Sequence, residues 1–281
     1  MKLVVDSNRL QSEELRTFLA GSKSNFAVIT DFAAMEAYKG DTLASIYKSM
    51  QVLADFPSQV LILKGSAKVC GLTGRRKGLQ RRLIDENQTR GFPAYIKALQ
   101  LGKAGNHHIQ RQLLDHGESS QAHFDKMLKD AESMKPAFDQ LAKAYTREER
   151  AIIRDGREYT SEMIERLGKT LIELFGMVFQ DSPLALKTPT YEELPNTFFF
   201  RVTLCCYLMV IRRGSLGGIA DAKPENIRND LVDMMFVAYG TYFQGILSND
   251  QNVNRIFEEA APMISGLFGG EVPVITRACA R

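Results

Sequence analysis

Hydrophobic and polar positions follow two different rhythms along this chain. Near the amino terminus, KLVVD (2–6), FAVIT (26–30) and QVLILKG (59–65) are short, almost continuous apolar runs. Runs of this kind suit parallel strands buried on both faces. Between them, apolar residues recur three and four apart. SEELRTFL (12–19) opens on a Ser, a preferred helix cap, and places Leu15, Phe18 and Leu19 on one face. DFAAMEAYKG (31–40) predicts a helix capped by Asp31 and stopped by Gly40, and a further helix from about 41 to 55 breaks before Pro57. Strands alternating with helices favour an α/β fold, a parallel sheet with helices on both faces.

From residue 73 to 220 the period is helical and no run reads as a strand. PNTFFFRVTLCCYLMVIRR (195–213) is apolar until its basic end, which predicts a helix buried among others. Strand–helix order resumes near Pro224. A helix to Tyr239 leads to the strand FQGILS (243–248), then to a helix over about 251–265. VPVIT (272–276) reads as a last strand, which Pro273 restricts to a sheet edge. The pattern therefore predicts one α/β domain, residues 1–72 and 222–281, split by a helical insertion over 73–221.

Composition narrows this little. Of 281 residues, 44% are hydrophobic and 25% charged, as in ordinary globular proteins, and a net charge of +3 does not by itself specify a nucleic-acid partner. No apolar run approaches the roughly 20 residues of a membrane span, and Arg201 interrupts the most apolar segment. MKLVVDSNRL is too short in apolar residues for a signal peptide. The four cysteines lie in no metal or redox spacing, and Cys205 and Cys206 read as buried thiols. These features predict a cytoplasmic protein without a membrane partner.

The acids change the picture. Ligands of open parallel sheets collect at the carboxyl ends of the strands. Asp6 ends the first strand and Asp250 lies just beyond FQGILS. Asp233 sits on the helix feeding that strand, with Asp230 one turn earlier on the same face, and Glu36 lies on the helix after the second strand. Each alone has a plain reading: a turn for Asp6, a cap for Asp31 or Asp250, a solvated helix face for Glu36, Asp230 and Asp233. Together they gather negative charge, which is unfavourable unless a cation neutralises it. Mg²⁺ takes oxygen ligands and bridges carboxylates to phosphate, and paired ions activate water against a phosphodiester.

VVDSN (4–8), with Glu36 after the second strand, resembles the opening of a PIN-domain nuclease. The segment from Asp233 to Asp250, a helix acid followed by a strand ending in Ser248, one residue, then Asp, resembles that family's second half. The likeness covers about 1–70 and 224–275. It implies a three-layer α/β/α domain with a central parallel sheet, and a Mg²⁺- or Mn²⁺-dependent endonuclease acting most often on RNA. By matching positions, Asp6, Glu36, Asp233 and Asp250 would be the catalytic, metal-binding acids, with Asp230 competing for the helix role. Asn8 and Ser248 would be their polar neighbours. A homo-oligomer or a protein inhibitor would be a further partner. The helical insertion is not part of a minimal PIN domain.

Other chemistry is less well supported. A haloacid-dehalogenase-type phosphatase would use Asp6 and Lys64, but Asn8 stands where its general acid is needed. His107, His108, His116 and His123 lack zinc-site spacing, and GSLGG (214–218) has no Lys and follows a helix, unlike a phosphate loop. RRKGLQRR places five cations, Arg75, Arg76, Lys77, Arg81 and Arg82, in eight residues soon after the third strand, where they would meet a phosphate backbone. The expectations are an endoribonuclease, then a DNA structure-specific nuclease of flap-endonuclease type, then a non-catalytic PIN-like nucleic-acid-binding protein.

Overall fold

The computed structural model describes residues 1–182, 187–219 and 221–268. KLVV forms β1 (Lys2–Val5), with Val4 and Val5 fully buried. Ser12 caps α1 (Glu13–Gly21) by accepting the Leu15 N–H, and Leu15, Phe18 and Leu19 are buried. β2 (Phe26–Ile29) follows, then α2 (Asp31–Glu36), α3 (Thr42–Ser49) and α4 (Gln51–Asp55). The cap of α2 is Thr30, not Asp31: Thr30 Oγ1 accepts from Ala33 N at 3.0 Å. Asp31 instead takes the N–H of Ser66 at 2.6 Å, tying α2 to the segment after the third strand. The helix expected over 41–55 is interrupted at Met50.

β3 (Val60–Ile62) leads into α5 (Ser66–Cys70), α6 (Leu79–Leu83), α7 (Glu86–Lys103), α8 (His107–Lys143), α9 (Arg147–Asp155), α10 (Ser161–Gln180) and α11 (Phe198–Ser215). No strand forms among the described residues of this stretch. Among the described residues, its backbone bridge to the strand region is the antiparallel pair Leu63 and Ile84, beside which Thr89 Oγ1 accepts the Ile62 N–H at 3.0 Å. The chain then forms α12 (Pro224–Gly240), β4 (Ile246–Leu247) and α13 (Gln251–Phe268). The expected strand over 272–276 lies outside the described residues.

All pairings are parallel and the sheet order is β3-β2-β1-β4. The chain winds from β1 outward through β2 to β3, then returns to the other side of β1 for β4. The order therefore reverses between β1 and β4, and a crevice opens outside the carboxyl ends of these two strands. Asp6 and Ser248 are the residues that immediately follow them.

α11 is buried along most of its length and packs against α8, α9, α10, α12 and α13. Arg201 lies in its first turn, fully buried. Its guanidinium donates to Pro195 O at 2.7 Å and Thr241 O at 2.6 Å, and stacks on the Tyr242 ring with 3.7 Å to the centroid. These acceptors stand in for a carboxylate, because a buried cation must be hydrogen-bonded. Side chains of the sheet and of the helical region belong to one continuous apolar core. Among the described residues, no helix is long and apolar enough to cross a membrane.

Candidate functional site

The local structure of DSN delivers three polar side chains to the crevice. β1 ends at Val5, and the Asp6 N–H still pairs with Leu247 O at 3.0 Å, so Asp6 is held against β4 and is buried. A single turn of 3-10 helix over Ser7–Arg9 then brings Asn8 back beside it. Asp6 Oδ2 accepts from Ser248 Oγ at 2.5 Å and from Asn8 Nδ2 at 2.7 Å. Asn8 Oδ1 also accepts from Asn249 N at 3.2 Å, so Asn8 clasps the loops after β1 and β4 together. Ser7 Oγ lies between two acids, 2.5 Å from Glu36 Oε2 and 3.4 Å from Asp6 Oδ1.

Asp250 reaches the same place through its backbone. Its N–H donates to Ser248 Oγ at 3.0 Å, while its Oδ1 accepts from Asn252 N at 2.6 Å and Val253 N at 3.2 Å. Asp250 thus caps α13 with one oxygen. The expected cap is present, and the same carboxylate is close enough to Asp233 to raise its pKa.

Electrostatics joins the acids. Burial, and after it the charges of Asp6, Asp250, Glu36 and Asp230, together push the Asp233 carboxyl up to about 8. Burial also raises Asp6, against the hydrogen bonds from Ser248 and Asn8. Glu36 is raised by burial and by Asp6, against the Ser7 hydroxyl. Asp230 behaves differently. It forms an ion pair with Arg213 at the basic end of α11, and burial nonetheless lifts it to about 6. Asp230, Asp233 and Asp250 line one cavity of about 260 Å³ together with Arg212 and Arg213.

The structure therefore brings Asp6, Glu36, Asp233, Asp250, Asn8 and Ser248 to one sheet edge, and turns Asp230 toward Arg213. It does not form the closed coordination sphere that the sequence leads one to expect. Among the described residues, no three His, Cys, Asp or Glu side chains are gathered tightly enough to chelate an ion. Like charges keep apart, and Asp6 and Glu36 are each held by hydroxyl donors.

The basic stretch is divided. Arg75, Arg76 and Lys77 are exposed, Arg81 pairs with Glu86 at 3.1 Å, and Arg82 donates to Thr73 O at 3.0 Å and to the carbonyl of Arg75. The four histidines are exposed on α8. Cys205 is buried, whereas Cys206 is half-buried, and burial lifts its thiol to about 12. Sequence reasoning passes over Arg213, and notes Ser7 only as the small hydroxyl residue that follows the first acid, a weak signal. Arg213 carries none, since a basic residue in the last turn of a helix is ordinary. Comparison with protein-family models, with curated proteins and with solved structures finds no match.

Proposed function

We propose that the chain is a PIN-like, divalent-metal-dependent endonuclease with RNA as its substrate. The observation that carries this reading is the convergence of four carboxylates, from β1, α2, α12 and the loop after β4, at the switch point of the sheet. The donor set is all oxygen, which is the chemistry of Mg²⁺ or Mn²⁺. Asp233, with its pKa near 8, is the acid most in need of a neutralising partner. Asp6, Glu36, Asp233 and Asp250 would hold the metal. Such an ion supplies positive charge that activates water and stabilises the leaving oxygen of a phosphodiester.

The chain's own residues prepare this chemistry. Ser248 and Asn8 fix Asp6 through Oδ2, and the Ser7 hydroxyl lies 3.4 Å from its Oδ1. Ser7 orients Glu36, and α13 orients Asp250. Arg213 neutralises Asp230, which leaves Asp233 as the helix acid. Exposed Arg75, Arg76 and Lys77 would meet the RNA backbone, with Arg81 beside them.

A second reading, a non-catalytic PIN-like nucleic-acid-binding protein, is favoured by the absence of a closed chelating cluster among the described residues. One panel separates the readings: single-stranded and hairpin RNA and DNA, incubated with Mg²⁺, Mn²⁺ or EDTA. The expected result is internal cleavage of RNA that EDTA stops and Asp250→Asn abolishes. Asn8→Ala and Ser248→Ala, which act through Asp6, should slow it about 10–100-fold. Metal-independent binding without cleavage would select the second reading, and cleavage confined to DNA junctions or flaps would select a flap-type nuclease. A fully active Asp250→Asn protein would remove the metal-nuclease reading.

A further inference from the structure

The basic stretch does not lie on a flat surface. With two lysines from either side of the start of α5, it lines a recess of about 750 Å³ faced by Lys64, Lys68, Arg75, Lys77, Arg81 and Arg82. Two carboxylates share this recess, and both are engaged. Asp85 Oδ1 accepts from Asn87 N and Gln88 N to cap α7, and Glu86 pairs with Arg81. Arg82 is engaged as well. Its guanidinium holds the carbonyls of Thr73 and Arg75, and its own carbonyl accepts from Lys64 Nζ at 2.7 Å. Arg82 is therefore a rivet that fastens the loop over α6 and aims its neighbours. Gly78, at φ 69°, makes the turn that the loop requires. Among the described residues, Arg75 and Lys77 form no ion pair, and Lys68 is felt by Asp85 across the recess without an ion pair between them.

Unneutralised cations repel one another, and a concave wall concentrates their field. The ligand that repays this arrangement carries several negative charges in a small volume. We propose that the recess binds a phosphate-dense group, either the phosphorylated end of a nucleic-acid strand or a free polyphosphate. It opens at the carboxyl end of β3, the same sheet edge as the acids, and two strand spacings, roughly 10 Å, separate β3 from β1. A strand anchored here by its end would reach the acids within a few nucleotides. That consequence rests on the nuclease reading; the binding itself does not.

The test is made on the full chain in EDTA, without scoring cleavage. Anisotropy titrations compare one single-stranded RNA bearing a 5′-triphosphate, a 5′-monophosphate, a 3′-phosphate or hydroxyl ends, with inorganic tripolyphosphate as competitor. The expected result is binding about tenfold tighter for a phosphorylated end, competed by tripolyphosphate. The double variant Lys68→Gln, Lys77→Gln should keep its melting temperature and lose that preference. Its log–log salt slope should fall by about 1.4, the contribution of two phosphate contacts to a single strand. A preference among RNA ends identifies a strand terminus as the ligand. Tripolyphosphate binding that the double variant loses, without preference among ends, identifies a free polyphosphate. Equal affinity for all ends with no binding of tripolyphosphate, or a double variant that binds like wild type, overturns the proposal. Failure of the metal-nuclease reading would appear in Asp250→Asn cleavage and would leave these titrations unchanged.

Discussion

Asp233 shows how burying one acid sets its charge against stability. Folded, its carboxyl holds a proton up to about pH 8; the ordinary value is 3.8. Between those values the folded state binds a proton that the unfolded state does not. Stability should therefore fall as pH rises from about 4 to about 8, and level off above. Asp233→Asn removes this dependence. In EDTA the variant should melt higher than wild type at pH 8, with a clearly smaller difference at pH 5. Equal differences at both pH values would take Asp233 out of the buried acid group. Adding Mg²⁺ at pH 8 should raise the wild-type melting temperature and leave the variant nearly unmoved, because a ligand that binds only the folded state stabilises it. At this scale the sequence was informative: Asp6, Glu36, Asp233 and Asp250 announce themselves by their places at strand and helix ends. What it withheld was the choice between Asp230 and Asp233. Their spacing puts both on one face, and only the packing of Arg213 against Asp230 tells them apart.

Elements carry the next layer. α13 begins at the Asp250 cap, so Asp250→Ala should cost about 1 kcal/mol of stability, while Asp250→Asn keeps most of it. Comparing urea midpoints of the two variants separates the cap from the charge. α11 is fixed by Arg201, which joins the segment at Pro195 to the end of α12 at Thr241. Arg201→Ala leaves those buried carbonyls without donors and opens a cavity. The expected loss in urea unfolding is about 3 kcal/mol or more. Periodicity located most elements, yet it misread their ends. It could not see that Thr30 reaches the Ala33 amide before Asp31 does, or that FQGILS yields only a two-residue β4. Nor does an apolar run around a single arginine reveal which carbonyls will meet that arginine.

For the whole molecule, the sequence suggested two parts, and the core joins them. α12, which carries Asp233 and packs on β1, is itself covered by α8 and α11 from the helical region. Its buried face includes Leu231, Val232, Met234 and Phe236. Heating the full chain should give one cooperative transition by both circular dichroism and calorimetry. Joining residue 72 directly to 222 should give a protein that aggregates or fails to unfold cooperatively, because that face loses its cover. Two separate transitions, or a well-folded excised form, would contradict a shared core. The strand order β3-β2-β1-β4 was likewise not legible from pattern, since apolar runs state that strands pair but not with whom. The switch point, and with it the meeting of the acids, follows from that order.

The pairing of β1 with β4 has a consequence for the chain as it is made. The bond from Ser248 to Asp6 links residues 242 apart in sequence. A ribosome working at about 5–20 residues per second needs roughly 10–50 s to pass from one to the other. Throughout that interval β1 has β2 on one side and nothing on its other edge, and an open apolar edge recruits foreign strands. The nascent chain is therefore vulnerable at the open edge of β1 until β4 emerges. Asp6 and Ser248 meet only once β4 has been made, so a chain that stops short of it has not yet brought these groups together.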